Sequence, residues 1–329
     1  MITGDPDSFG IPPDLRMIQA ELAAHQWQSL EQAQAFLQRR IAQYNAGPQA
    51  DLGGLSPHEM HQLLSGDWTG EGPLRLNREL ALDQLSGVPL LRTAQAVLAG
   101  AAQPDGIKAT ATGNLNRRFV ATVIEPAAWP DSMVEEILAY SKVVNELDLW
   151  PLHALRVVLQ RAKLLTRRKG SFRTTRRGRE LLADARAGEL YEHLFRTFFR
   201  DFNLAYLSVR ADDRFEQHQP MVPFVLLRLA TLDQAWRRVH ELTPLLIPTL
   251  DPDEDRFGFS RDAAGLPYVF FKFRLRFLAP LEWFGLLEGR DVPSENQYMP
   301  FRELRKTRLF APFIRFSPSI LQAARRGMG

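Results

Sequence analysis

A leucine-striped helix followed at once by a hairpin signal, at residues 149–174, most constrains what this chain can fold into. Leu152, Leu155 and Leu159 fall on one helical face. The next two apolar–basic segments, 164–168 and 171–174, are separated only by Lys169-Gly170, a two-residue connection suited to a tight β-turn. The sequence therefore predicts a helix leading directly into a β-hairpin.

The segments around this hairpin supply the remaining parts of a known arrangement. Apolar periodicity predicts helices at about 88–102 and 115–124, with a short strand at 107–110 between them. The capping-box spacing of Ser132 and Glu135 predicts a third helix at 132–144. After the hairpin, Thr175 can cap a helix that extends to about Ala187. The order helix, strand, helices, hairpin, helix is that of a winged helix. We therefore predict a mainly α protein with a central winged helix.

The length of 329 residues favours more than one domain. We predict an N-terminal helical region and linker at 1–85, a winged-helix domain at 86–188, and an aromatic-rich helical domain at 189–329. The last domain begins with an aromatic stripe, from Tyr191 to Tyr206, of a kind that usually packs in a core. Residues 286–316 repeat the hairpin pattern weakly, which suggests a second, degenerate winged helix.

The net charge of +3 conceals an uneven distribution. Ten basic residues and no acidic ones lie between positions 149 and 179, so the rest of the chain is net acidic. A local block of positive charge in an otherwise acidic protein suggests a polyanionic partner.

A winged helix binds DNA by placing one helix in the major groove while the wing contacts phosphates. On the helix at 149–162, we predict that His153, Arg156 and Gln160 share the face opposite the leucine stripe, with Arg156 and Gln160 facing bases. The predicted phosphate contacts are Arg161, Lys163, Arg167, Arg168, Lys169, Arg173, Arg176 and Arg177. The expected partner is nucleic acid, DNA rather than RNA, for a regulator or a mobile-element accessory protein.

Two other hypotheses about the function are compatible with the sequence. Winged helices also serve as protein-docking modules, which would make the chain a scaffold with a protein partner or a homodimer. The third hypothesis is an unrecognised metal-dependent enzyme with a metal site near His58-Glu59-Met60-His61, although zinc proteases need i, i+4 spacing of their histidines. We assign no catalytic, cofactor or metal-binding residue and expect a protein that is not an enzyme.

The chain contains no cysteine, so thiolate chemistry and disulfides are excluded. Its N-terminus lacks the pattern of a signal peptide, and no apolar run reaches the roughly 18 residues that cross a bilayer. We therefore expect a cytoplasmic location and no membrane partner.

Several short motifs resemble a family of uncharacterised bacterial proteins. They are Leu55-Ser56-Pro57-His58-Glu59-Met60, Pro73-Leu74-Arg75-Leu76-Asn77, Lys108-Ala109-Thr110-Ala111-Thr112-Gly113-Asn114-Leu115 and Leu164-Leu165-Thr166-Arg167-Arg168-Lys169-Gly170. Some relatives in that family carry plasmid ORF-3-like or SEC-C metal-binding segments. The resemblance implies a bacterial origin and a winged-helix centre, but a SEC-C site needs cysteines that this chain lacks.

Overall fold

The computed structural model describes residues 13–124, 143–207, 219–247, 268–293 and 301–327, together with Trp129 and Ile137. In these residues the protein is mainly helical, with small antiparallel sheets. No helix among them is both long and apolar enough to cross a membrane.

The N-terminal region begins with two helices, α1 (Pro13–Ala24) and α2 (Leu30–Ala46), in agreement with the helical region predicted there. Ser29 caps α2 by accepting a hydrogen bond from Gln32 N. Helix α3 (Pro57–Ser65) begins with a full capping box, in which Ser56 and Glu59 each accept the other's backbone N–H.

The segment that follows α3 connects the N-terminal region to the end of the chain. It contains strand β1 (Leu74–Leu76) and the single-turn helix α4 (Leu82–Leu85). Strand β1 pairs antiparallel with the last strand, β8 (Ile314–Phe316), with Leu76 opposite Ile314. Leu74 and Leu76 are both buried, so this pair of strands carries part of the core.

The central unit consists of helix α5 (Pro89–Ala102), strand β2 (Ile107–Lys108), helices α6 (Arg117–Ile124) and α7 (Trp150–Arg161), strands β3 (Leu165–Arg168) and β4 (Ser171–Thr174), and helix α8 (Arg176–Leu181). Its strands form one sheet in the order β2-β4-β3. The predicted hairpin is confirmed, with Leu165 opposite Thr174 and Arg168 opposite Ser171. The helix predicted at 132–144 lies outside the described residues, except for Ile137 and the last two positions.

The predicted helix from Thr175 to Ala187 is wrong in its length. Helix α8 ends at Leu181, a 3₁₀ turn covers Asp184–Arg186, and a new helix, α9 (Ala187–Arg196), begins next. The break brings Gly188 against the backbone around Leu80, where a Cβ would lie only 2.6 Å from the Leu80 oxygen. Tertiary packing therefore overrides the continuous helical pattern at this point.

The C-terminal unit contains helix α10 (Val222–Thr231), strand β5 (Arg237–Arg238), helices α11 (Val239–Leu246) and α12 (Tyr268–Phe273), a π-helical turn at Arg274–Leu278, helix α13 (Ala279–Trp283), strands β6 (Leu287–Val292) and β7 (Phe301–Lys306), and helix α14 (Phe310–Phe313). Strand β8 and helix α15 (Pro318–Arg326) follow. The sheet order is β5-β7-β6, so the helix and strand order of the central unit recurs.

The junction between helix and hairpin is built in the same way in both units. After α7, Lys163 adopts φ +59° and Leu164 N donates to Leu159 O at 2.9 Å; after α13, Gly285 adopts φ +66° and Leu286 N donates to Leu281 O at 2.9 Å. A threonine closes each junction, since Thr175 Oγ1 donates to Lys163 O at 2.8 Å and Thr307 Oγ1 donates to Gly285 O at 2.6 Å. The two units thus share local geometry as well as element order.

The aromatic stripe forms the centre of the core, as predicted, except at its end. Tyr191, Phe195, Phe198, Phe199 and Phe202 are buried and contact Phe284 or Phe313 or one another. Tyr206 was expected to join them, but it is 46% exposed. The π-helical turn Thr197–Asp201 and the 3₁₀ turn Leu204–Leu207 interrupt the helical period before Tyr206.

Candidate nucleic-acid interface

The hairpin tip presents three adjacent cations to solvent. Lys169 and Gly170 both have positive φ, +49° and +75°, as in a type I′ turn, whose twist matches that of the two strands. Arg167, Arg168 and Lys169 are exposed. We define the wing as the hairpin formed by β3 and β4.

Two further cations lie where α7 leads into the wing. Arg161 occupies the last residue of α7 and Lys163 the left-handed turn position, and both are exposed. On the other side of the wing, Thr175 caps α8 by accepting a hydrogen bond from Gly178 N at 3.1 Å. This start of α8 exposes Arg176 and Arg177. The fold therefore brings the predicted phosphate-contacting segments 161–163, 167–169 and 176–177 into one region around the wing.

The cations of this region differ in their pairing. Arg176 Nε contacts Glu180 Oε1 at 2.9 Å, although the Arg176 side chain is 93% exposed. Arg161, Lys163, Arg167, Arg168, Lys169 and Arg177 form no ion pair with any residue that the structure describes. The pKa of Glu189 is lowered mainly by a hydrogen bond from Arg186, and the positive charge of Arg177 lowers it to a smaller extent. We call these six unpaired residues the wing cations.

Arg173 has a different place from the one predicted. The Arg173 guanidinium donates to the carbonyl oxygens of Pro104 and Gln103, in the turn after α5. Arg173 is half-buried, whereas the wing cations are exposed. These contacts fix β4 against the turn that precedes β2. Arg173 therefore positions the wing, and we leave it out of the phosphate-contacting set.

Arg156 does not face solvent as the sequence suggested. Its side chain is 11% exposed, and Nε donates to Glu146 Oε1 at 3.0 Å. The other guanidinium nitrogens donate to Gln160 Oε1 at 2.8 Å and to Asn114 Oδ1 at 3.2 Å. Arg156 and Gln160 thus contact each other, and neither is placed to read bases in a groove.

His153 was predicted to share that exposed face, and this prediction is wrong. The residue is 4% exposed, with Nδ1 donating to Glu146 Oε1 at 2.6 Å. The same buried carboxylate accepts a hydrogen bond from Leu115 N. Glu146 is 1% exposed and begins the 3₁₀ turn Glu146–Asp148, just before α7. Its buried carboxylate is satisfied by these hydrogen bonds and by the one from Arg156.

Helix α7 as a whole has little free surface. Its residues are buried or half-buried except for Trp150 and Arg161 at its two ends. It packs against α5 and against the π-helical turn Thr197–Asp201. A helix that enters a major groove needs a continuous exposed face, which α7 does not have.

The second hairpin, β6 and β7, carries cations that are already neutralised. Arg290 donates to Glu303 at 2.7 Å, Arg305 to Glu288 at 2.7 Å, and Arg302 to both Glu282 and Asp291, at 2.6 and 3.0 Å. The guanidinium groups of Arg290 and Arg305 also lie over the Trp236 ring, at 4.5 and 4.4 Å from its centroid. The two hairpins thus share a scaffold but differ in electrostatic character.

The two histidines considered as metal ligands, His58 and His61, do not form a metal-binding group with described carboxylates. His58 and His61 are exposed on α3, and His58 Nε2 lies 3.0 Å from Gln62 Nε2. Within the described ranges, no group of three or more His, Asp or Glu side chains is arranged to hold a metal ion.

One exposed feature was missed by the sequence reading. Trp150 and Tyr206 are 40% and 46% exposed, and their ring centroids lie 6.5 Å apart at 76°. Leu147, 50% exposed, lies three residues before Trp150 in the 3₁₀ turn Glu146–Asp148. No sequence signal marked this feature, because the helical spacing of the aromatic residues continues to Tyr206 and Trp150 looked like an ordinary helix-start residue.

Fold and surface together define a mainly helical protein with two related helix–hairpin units, one of which has a cationic wing. Residues 86–187, the central unit, match the family model described as the Y4jL N-terminal domain. The chain is also similar to "Uncharacterized protein y4jL" of Sinorhizobium fredii (strain NBRC 101917 / NGR234), with 35% identity over 114 residues.

That alignment covers 35% of this chain, and the chain spans about half (51%) of the relative's length. The two similarities support the predicted link to an uncharacterised bacterial family. No solved structure matches the chain.

Proposed function

We propose that the central unit is a winged helix that binds nucleic acid through the sugar–phosphate backbone, with the wing cations as its contacts. The element order and the sheet order β2-β4-β3 support the winged-helix assignment. The expected ligand is DNA rather than RNA, as inferred from the sequence. The C-terminal unit, with the sheet order β5-β7-β6, is a second winged helix. Because the arginines of its hairpin are paired with carboxylates, we assign that hairpin a structural role.

The observation that carries this proposal is the exposed, unpaired state of the wing cations. Lysine and arginine that contact phosphates must be accessible and must not already be neutralised by neighbouring carboxylates. The wing meets both conditions, whereas the hairpin β6–β7 provides an internal contrast in which comparable arginines are paired. The asymmetry points to selection for an anion partner at the first hairpin only.

The burial of α7 limits what kind of recognition the unit performs. Phosphate contacts position a protein on nucleic acid but carry no sequence information. Arg156 donates to Glu146, Gln160 and Asn114, so the two side chains predicted to read base edges are already engaged within the protein. We therefore propose binding that is largely independent of base sequence.

The experiment is a binding titration of the full chain with labelled random-sequence duplex and single-stranded DNA over a range of salt concentrations. Five to six neutralised phosphates predict that log affinity for duplex DNA falls with log salt at a slope of about −4.5 to −5.4. The triple variant Arg167→Glu, Arg168→Glu, Lys169→Glu should lower the slope by about 3 and weaken binding to all sequences alike.

A matched control keeps the same change in net charge at another surface. Arg75 and Arg315 are exposed and face each other across β1 and β8, and Arg325 is exposed on α15. Changing these three to Glu should leave binding to DNA nearly unchanged. Equal losses in the two triple variants, or binding that ignores salt, would contradict a wing-centred interface.

A second function is favoured by the packing of α7. In this protein the helix that would enter DNA is already covered by other parts of the chain, including Tyr206, whose Oη lies 2.8 Å from His153 Nε2. A winged helix used in this way acts as an interaction module rather than as a reader of DNA. The corresponding proposal is a scaffold whose wing binds an acidic protein, and it predicts competition by polyglutamate with no preference for nucleic acid.

A further inference from the structure

The aromatic pair Trp150 and Tyr206 lies at the opposite end of α7 from the wing. Trp150 and Arg161 are eleven residues apart on α7, which places them about 20° from each other around the helix axis. Both are exposed, whereas the residues of α7 between them are buried or half-buried. The exposed aromatic rings therefore lie on the same side of α7 as Arg161, about 16 Å away along the helix.

Polar and ring contacts hold Tyr206 and Trp150 against His153. His153 Nδ1 donates to Glu146 Oε1, His153 Nε2 lies 2.8 Å from Tyr206 Oη, and the two ring planes are 21° apart. Trp150 contacts His153 edge-on, with 5.9 Å between ring centroids. A hydrogen bond thus orients the Tyr206 ring and an edge-on contact orients the Trp150 ring, and both rings remain substantially exposed.

Exposed, preorganised aromatic rings beside a row of unpaired cations are the two components of single-strand nucleic-acid sites. Cations follow the backbone, and unpaired bases stack on aromatic faces whatever their sequence. A duplex offers phosphates to the wing but keeps its bases inside the stack. Only a single strand can place its backbone on the wing cations and its bases on the aromatic rings.

We propose that the preferred ligand is single-stranded DNA, with its backbone on the wing cations and one or two bases stacked on Trp150 and Tyr206. The inference rests on the proposed function and specifies its substrate class. It also accounts for the absence of an exposed face on α7 in the described part of the chain, because bases on the aromatic rings need no groove-reading helix.

The test compares oligothymidylate with duplex DNA as probes for the full chain, using fluorescence anisotropy. Trp150→Ala should weaken binding to oligothymidylate roughly 5- to 140-fold, the loss of one stacked base, while leaving duplex affinity unchanged. Trp150→Phe keeps a π-face and should retain most of the affinity. Leu147→Ala removes exposed apolar surface from the same patch without removing a ring, and should have no effect.

A second measurement is independent of how well Trp150→Ala folds. Stacking of thymine on Trp150 should quench indole fluorescence in the unaltered protein, and Trp150→Phe should lose that part of the quenching while still binding. Failure to observe any quenching at saturating oligothymidylate would overturn the stacking role.

The outcomes separate the two proposals. If Trp150→Ala binds oligothymidylate normally but the wing triple variant does not bind, single-strand stacking is refuted and backbone binding stands. If the wing triple variant binds both probes normally, the proposed function itself fails. If Trp150→Ala and Leu147→Ala alike convert a dimer to a monomer without altering DNA affinity, the patch joins two copies of the chain and stacking is refuted.

Discussion

Replacement of Glu146 by alanine should destabilise the protein more than any surface substitution. The carboxylate is 1% exposed and accepts from Leu115 N, His153 Nδ1 and Arg156 Nε. Removing one partner of a buried ion pair typically costs about 3–5 kcal/mol, because the remaining charge stays desolvated without compensation. Arg156 keeps its bonds to Gln160 and Asn114, so we expect about 3 kcal/mol for Glu146→Ala.

The free energy of unfolding is measured by urea titration of the full chain, followed by tryptophan fluorescence and far-ultraviolet circular dichroism. The matched control is Glu180→Ala, whose i, i+4 partner Arg176 has a 93% exposed side chain, and its cost should be about 0.3–0.5 kcal/mol. The double variant Glu146→Ala, Arg156→Met removes both charges and should regain part of the loss.

Two results would refute this reasoning. A loss of less than about 1 kcal/mol for Glu146→Ala would mean that the carboxylate contributes no more than an ordinary hydrogen bond. A double variant no more stable than Glu146→Ala would mean that the cost does not come from stranding Arg156.

Two other predictions concern backbone conformation and pH. Lys163→Gly should stabilise the protein by about 0.5–1 kcal/mol in urea titrations while weakening DNA binding, because φ +59° disfavours lysine; Gly285→Ala at the equivalent position should cost about 1–2 kcal/mol. Hydrogen bonds from Thr69 N, Thr69 Oγ1 and Gly70 N lower the pKa of Asp67 to about 2. Its stabilising contribution is complete above the ordinary carboxyl pKa and is lost as pH falls toward 2, so Asp67→Asn should flatten the acid limb of a stability–pH curve.

The helix–hairpin order was predictable from sequence because local rules determine it. Lys169-Gly170 specifies a two-residue turn, and Thr175 provides a cap for the next helix. The same local logic explains why β6 and β7 could be suspected from residues 286–316. These features depend on neighbours within a few positions, which a sequence displays directly.

The environment of the predicted base-reading residues could not be obtained in that way. Arg156 is neutralised by Glu146, ten residues upstream and outside the helix, and it also donates to Asn114, 42 positions away. Helical periodicity placed Arg156 opposite the leucine stripe, but it carries no information about what packs on that side. The prediction that Tyr206 packs in the core is wrong for a related reason. A π-helical turn before Tyr206 changes the helical period on which that prediction depended.

The antiparallel pairing of β1 with β8 has a consequence for how the protein is made. About 240 residues separate the two strands, and ribosomes add roughly 5–20 residues per second, so a newly made β1 waits on the order of 10–50 s for its partner. During that interval Leu74 and Leu76 lack the cover they have in the finished protein. Strand β1 is therefore the segment of the nascent chain where a chaperone would be of most use.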